Sequence, residues 1–468
     1  MLGDLKPYPN MKDSGLPWLG TMPEHWDLLR NRALMRRRKV LVGERHTAYR
    51  LLSLTKEGVI VRDVESGKGK FSADMGTSQE VRKGDLIFCL FDVPETPRTV
   101  GLSRHDGMIT GAYTVFACPD PTLAGFLDLF YRAMDDRKLL SPLYSGLRNT
   151  IPPPRFMGIR TPVPPPPEQA AIVRFLDHVD RRMRRFIRTK QKVIKLLEEE
   201  KQAIIHRAVT RGLDPNVRLK HSGVSWLGDL PEHWKVRRAK YLFREVDHRS
   251  ATGTEVLLSL RMYQGLVPHD EVSMVPIPAQ ALVGFKKIKP GQIVMNRMRA
   301  AIGMFGLAGR SGLVSPDYAV FDTNEDVEAS YFLRLFRTPL AGAVFRIESK
   351  GLGTGSSGFM RLYTDRFGTI KLPVPPREEQ QSLVQSIAEG TQHIDRTQER
   401  IRCEITLCQE YRTRLVADVV TGKLDVREAA ARLPDEAAQP EPLGDADEVA
   451  DAVENGGDDG VRPEEVEA

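Results

Sequence analysis

The phrase MPEHW at 22–26 returns as LPEHW at 230–234, inside the longer match SGLPWLGTMPEHW (14–26) and SGVSWLGDLPEHW (222–234). The agreement runs on. LLSL occurs at 51–54 and 257–260, GDLIF (84–88) aligns with GQIVM (291–295), and GLSRHDGMITGAYTVF (101–116) aligns with GLAGRSGLVSPDYAVF (306–321). RFMGIRTPVPPPPEQ (155–169) aligns with RFGTIKLPVPPREEQ (366–380), and AVTRGLD (208–214) with VVTGKLD (419–425). The offset drifts only from 205 to 211, so one unit of roughly 210 residues is written twice. Whatever the first copy folds into, the second must fold into as well.

Each copy has two parts. The first holds short β-rich runs punctuated by glycine, such as LIFCLF, YTVFAC, QIVMN and YAVFD, which read as strands. Helical stretches follow near 121–139 and 329–347. The second part begins at a proline cluster (162–167 and 373–376), after which Glu168–Val209 and Glu379–Val420 contain no proline and a single glycine, Gly390. Apolar residues recur there every seven positions: Leu176, Met183, Leu197 and Ile204, with Lys190 the one polar break, and Ile387, Ile394, Ile401, Cys408 and Leu415 in the second copy. Such a seam calls for a partner helix, and a helix of about 42 residues spans roughly 60 Å. The expected fold is α+β: two mixed globules separated by two long antiparallel coiled-coil helices, with a pseudo-twofold internal repeat. The domains fall at 1–161, 162–214, 215–372, 373–427 and 428–468.

The last of these is an acidic tail. Residues 435–468 hold thirteen acidic residues and one basic one, Arg462, a net of −12 that leaves +18 for residues 1–434 in a chain of net +6. A basic body suits a polyanionic partner, and the tail composition is that of a disordered segment. No apolar run has the length of a membrane span, the N-terminus lacks a signal-peptide core, and Cys89, Cys118, Cys403 and Cys408 form no C-x-x-C. These features point to a cytoplasmic protein with reduced thiols and no metal site.

Catalytic patterns are sparse. There is no phosphate loop, H-E-x-x-H or paired C-x-x-C. GLGTGSSGF (351–359) lacks the lysine of a phosphate loop and is missing from the first copy. The repeated Glu-His-Trp (24–26 and 232–234) has too few ligand types for a metal and reads as packing and turn formation. Pro316–Asp317 with Glu348–Ser349–Lys350 resembles a magnesium-dependent nuclease pattern, yet Gly111–Ala112 stand where the first copy would need Pro-Asp. Basic and amide side chains in the globules say more, because Arg and Asn can read base edges while Lys and Arg hold phosphates. The candidates are Arg261, Tyr263, Asn296, Arg297 and Arg299 in the second copy. In the first they are Lys56, Arg98, Arg104, His105, Arg148 and Asn149, with Arg36, Arg37 and Arg38 nearby. Cys89–Leu90–Phe91–Asp92 aligns with Asn296–Arg297–Met298–Arg299, so the framework is shared while the polar positions differ.

The PEHW openings, the GLVSPDYAVF stretch, the PVPPREEQ and PVPPPPEQ helix starts and the VTRGLD and VTGKLD helix ends, in this duplicated order over 14–427, resemble the DNA-specificity (S) subunit of type I restriction-modification systems. That resemblance implies two target-recognition domains, each reading half of a split DNA sequence. It implies long helices that hold them apart and dock two methyltransferase (M) subunits, joined by restriction (R) subunits. It also implies a non-catalytic chain that binds no cofactor itself. S-adenosylmethionine belongs to the methyltransferase, and ATP and Mg to the restriction subunit. The alternatives are an orphan DNA-binding protein without a restriction partner, or a metal-dependent nuclease.

Overall fold

The computed structural model describes residues 5–62, 75–93, 95–96, 98–146, 149–262, 264–273, 275–352 and 359–434. The chain divides into two units, Met1–Lys190 with Cys403–Ala468, and Gln191–Arg402. Both boundaries fall inside long helices, Pro166–Arg211 and Arg377–Val420. Each unit therefore contains one globule, the start of one long helix and the end of the other.

The two globules are built alike. In the first unit a four-stranded antiparallel sheet runs in the order Arg36–Arg38, Thr114–Ala117, Leu86–Phe88, Val100–Leu102. In the second the order is Phe243–Val246, Ala319–Thr323, Ile293–Met295, Phe305–Leu307. Strands of three to five residues cannot stand alone, and aromatic clusters hold them. Phe88, Phe116, Tyr131 and Phe156 pack in the first unit with ring centroids 4.7–5.6 Å apart. Phe305, Phe336, Phe345 and Phe367 do so in the second at 4.8–6.2 Å. A hairpin lies across each sheet edge, Leu52–Thr55 with Gly58–Val61 and Leu258–Arg261 with Gly265–Pro268. The repeated glycine of GLSRHDG and GLAGRSG permits that approach. A Cβ on Gly101 would lie 2.7 Å from Leu54 Cδ1, and one on Gly306 would lie 2.5 Å from Leu260 Cδ1.

The helical stretches differ between copies. The first is one helix, Pro121–Asp136, capped by Asp120 accepting from Thr122 N at 2.8 Å. The second, expected as one stretch over 329–347, is broken into Ala329–Phe336 and Pro339–Glu348. Pro339 has no N–H to continue the ladder, and Thr338 caps the new start through Ala341 N at 3.3 Å. Residues 427–433, placed at the edge of the tail by sequence, form the helix Arg427–Ala431 and bury Ala430 and Leu433 in the first unit's core.

The long helices run in opposite senses within each unit. Asp180 pairs with Arg412 at 2.5 Å and Lys190 with Glu404 at 2.6 Å in the first unit. In the second, Gln398 Nε2 donates to Ile194 O at 3.3 Å and Lys201 meets Asp395 at 2.5 Å. As numbering rises on one helix, the partner's falls. Of the seven-residue series, Leu176, Met183, Ile387, Ile394, Ile401 and Leu415 are buried, while Leu197, Ile204 and Cys408 are half-buried. Four residues after Ile387 and Ile394 the buried side chains are Thr391 and Gln398. The seam alternates apolar and polar layers, a pattern that a search for apolar residues alone overlooks.

The repeated helix ends have a physical role. Gly212 and Gly422 close the two long helices at φ +74° and +75°, where a side chain is strained. Gly422 sits against Pro23 and Trp26, and a Cβ there would overlap the Pro23 ring; at Gly212 the nearest atoms, Glu379 Oε1 and Trp234 Cζ2, lie at 3.4 and 3.5 Å. Gly422→Ala should therefore destabilise the first unit by about 2–4 kcal/mol, backbone strain plus overlap, and Gly212→Ala the second by only about 1 kcal/mol. Denaturant midpoints of the two variants check this; equal losses would contradict it.

Candidate nucleic-acid interface

Where the repeated motifs meet, the arrangement is structural. Glu168, in the first turn of the first long helix, accepts from Tyr8 OH at 2.5 Å and from Trp26 Nε1 at 2.8 Å, and His25 Nε2 lies 2.7 Å from its other oxygen. In the second unit Glu379 accepts from Trp234 Nε1 at 3.1 Å with His233 Nε2 at 2.7 Å. A carboxylate in a first turn also faces the positive end of the helix dipole. Tyr8, packed 5.3 Å from the Arg427 guanidinium, has its hydroxyl pushed well up by burial and by Glu168. Each junction fastens a globule to a long helix, and the glycine end of the other long helix lies beneath the tryptophan. This accounts for the coupled repetition of PEHW, P-x-x-E-Q and VT-x-G. The packing role read for Glu-His-Trp agrees with it, although the acceptor glutamates were not singled out.

The reading candidates lie elsewhere, around the loop that leaves the sheet's inner strand. In the second unit Asn296 is buried, and its Oδ1 accepts from Met298 N at 3.0 Å and Arg299 N at 3.2 Å, which shapes the loop 296–299. Neighbouring residues then diverge. Arg297 turns to Glu245 at 2.6 Å, beside the buried Lys286, which itself lies 3.6 Å from Glu245 and Asp247. Arg299 and Arg261 gather with Asn296 about Tyr318: burial pushes the Tyr318 hydroxyl up, and the Asn296 hydrogen bond and the two guanidinium charges pull it down. Arg297 is thus held by the fold, while Arg261, Asn296, Arg299 and Tyr318 form one polar cluster. Tyr318 was not among the sequence candidates; its signal was the aligned Tyr113 of GAYTVF.

The same place in the first unit is chemically different. Burial pushes the Tyr113 hydroxyl up, with Cys89 adding to the shift and Arg62 opposing it, and the Phe91 ring stands 6.4 Å away. Cys89 is buried and its thiol, pushed up by that burial, donates to Phe91 O at 3.3 Å. A thiol and a ring replace the amide and arginine of the other copy on the same strand and loop.

The remaining candidates scatter. Lys56 occupies the exposed tip of the first unit's hairpin, the position matched by the turn after Arg261. Arg104 and His105 are exposed in the turn after Val100–Leu102. Asn149 is exposed at φ 43°. Arg98 is drawn inward, 2.8 Å from Asp136 and 3.6 Å from Asp135. Arg38 is bonded to Asp85 at 2.8 Å. Tyr263, Arg148, residues 353–358 of the glycine-rich stretch and the acidic tail lie outside the described residues. The nuclease pattern meets an electrostatic obstacle: Asp317 is bonded to Arg361, and Glu348 faces Arg366 at 3.7 Å, so arginines already balance both carboxylates. Among the described residues no group of three or more His, Cys, Asp or Glu is placed to hold a metal, and no helix is long and apolar enough to cross a membrane.

The sequence matches no family model and no curated protein. Solved structures do match. A chain from a study of complex assembly and conformational transition of the type I R-M system is 15% identical and superposes with a TM-score of 0.60 over 86% of this chain and 99% of that one. The HsdS subunit from Thermoanaerobacter tengcongensis is 15% identical (TM-score 0.44, covering 88% of this chain and all of that one). The type I restriction-modification S subunit from M. genitalium is 14% identical (TM-score 0.33, 88% and 98%). The first of these establishes a shared fold: mixed helix and strand globules with two long helices.

Proposed function

We propose that this chain is the DNA-specificity subunit of a type I restriction-modification complex, a non-catalytic protein whose two globules each read one half of a bipartite target. The observation that carries the reading is the pair of clusters at the inner-strand loop: one sheet and one tyrosine, with Asn296, Arg299 and Arg261 on one copy and Cys89, Phe91 and Arg62 on the other. Duplication for stability alone gives no reason for a shared framework to carry two different sets of polar groups; two recognition surfaces do. The fold shared with the type I R-M chain supports the same reading. The long helices, on this proposal, form the coiled-coil scaffold for two methyltransferase subunits, which bring S-adenosylmethionine. Restriction subunits bring ATP and Mg. Methylome sequencing of cells expressing the chain with its methyltransferase tests the proposal: one split motif is expected, and its absence with both proteins present rejects it.

The second globule offers a sharper test. Arg299→Ala, measured in the assembled complex at matched salt, should weaken specific binding by about 1–3 kcal/mol, the value of one good base contact. Arg297→Ala should also lower the stability of the second unit, because it strands Glu245 and Lys286. Wild-type affinity in Arg299→Ala would remove this cluster from the DNA surface.

A further inference from the structure

In the first unit, the early part of the first long helix, the late part of the second and the short helix Arg427–Ala431 enclose a groove of about 500 Å³. Phe175, Val179, Phe186, Leu407, Tyr411 and Leu433 line it. Phe186, Leu407 and Tyr411 are 40%, 64% and 42% exposed, too much large apolar surface on one face to be incidental. The long helix beside it is strongly basic: from Arg174 to Lys190 it carries seven basic residues and two acidic ones.

The chain itself supplies a matching occupant. Arg174 donates to Leu433 O at 3.0 Å and to Pro434 O at 3.3 Å, so the residues that follow start from the groove's own wall. The next apolar residues are Leu443, Val449 and Val453, set among five acidic side chains and no basic one in LGDADEVADAVE (443–454). The nine steps from Pro434 to Leu443 can span about 30 Å, ample for a return to a groove that begins at Leu433. Tethering at this range gives an effective concentration in the millimolar range, so even a weak contact is populated.

We infer that residues 443–454 of this chain occupy the groove, with Leu443, Val449 and Val453 against Phe186, Leu407 and Tyr411 and the carboxylates over the arginines. The tail is then a built-in cover for an apolar helix face, and anything else that uses that face must displace it.

Two native thiols report on this. Cys408 lines the groove, whereas Cys403 is exposed on the same helix outside it. In the full chain, maleimide labelling of Cys408 should be about tenfold slower than in a chain ending at Pro434, while Cys403 labels equally in both; tenfold is the effect of a modest contact. Val449→Asp with Val453→Asp in the full chain should restore the fast rate, and raised salt should move the wild type toward it. Equal Cys408 rates in full and shortened chains, fast or slow, overturn the inference. So does protection that grows with protein concentration, which would assign the groove to a second copy.

Discussion

A chain in which residues 14–155 and 222–366 have exchanged places directs methylation to the same two half-sites in reversed order. The expectation rests on what each globule carries with it and what it finds on arrival. Each takes its own PEHW, its own sheet and its own cluster around Tyr113 or Tyr318. Each then meets, on the long helices, a first-turn glutamate and a terminal glycine in the same relation as before. Leu230 and Met22 are both buried at the junction, and Pro231 and Pro23 both precede it, so the exchange changes little there. Tyr8 lies outside the exchanged segment and keeps its bond to Glu168. Methylome sequencing reads the result directly. An unchanged target from a folded, active chain would mean that specificity does not reside in the globules, and the proposal of two independent reading surfaces would fail with it.

The repeat made the architecture legible, because every fragment that recurred had to serve both units. Strand-bearing runs, the start of each long helix and the seven-residue series were readable from residue type and spacing. Three things were not. Thr391 and Gln398 are polar residues at buried helix positions, and an apolar search passes over them. The split of 329–348 depends on Pro339 and the Thr338 cap, which the unbroken first copy gave no reason to expect. The site suffered most. Charge marks Arg98 and Arg297 as strongly as Arg299, and only the fold shows that Asp135, Asp136 and Glu245 hold the first two. Sequence names the donors of a surface but not the acceptors that already engage them.

Glu168→Ala should be the most damaging single change in the first unit, lowering its stability by about 2–5 kcal/mol, and Glu379→Ala should cost the second unit about 1–2 kcal/mol. The difference follows from what each carboxylate satisfies. Removing Glu168 strands the Trp26 indole N–H and the Tyr8 hydroxyl, on residues that are 0% and 4% exposed, and a buried donor left without its acceptor costs about 1–3 kcal/mol. Removing Glu379 strands one indole N–H at a carboxylate whose side chain is 26% exposed, where water can substitute. Glu168→Gln keeps the shape and one acceptor oxygen, and should fall between wild type and Glu168→Ala. Because the two units can unfold separately, the measurement is denaturant unfolding followed unit by unit, by hydrogen exchange, rather than a single midpoint. If the two alanine variants lose equal stability, then Tyr8 contributes nothing to the first junction, and the closer fastening of that globule to its helix is a matter of geometry without energy.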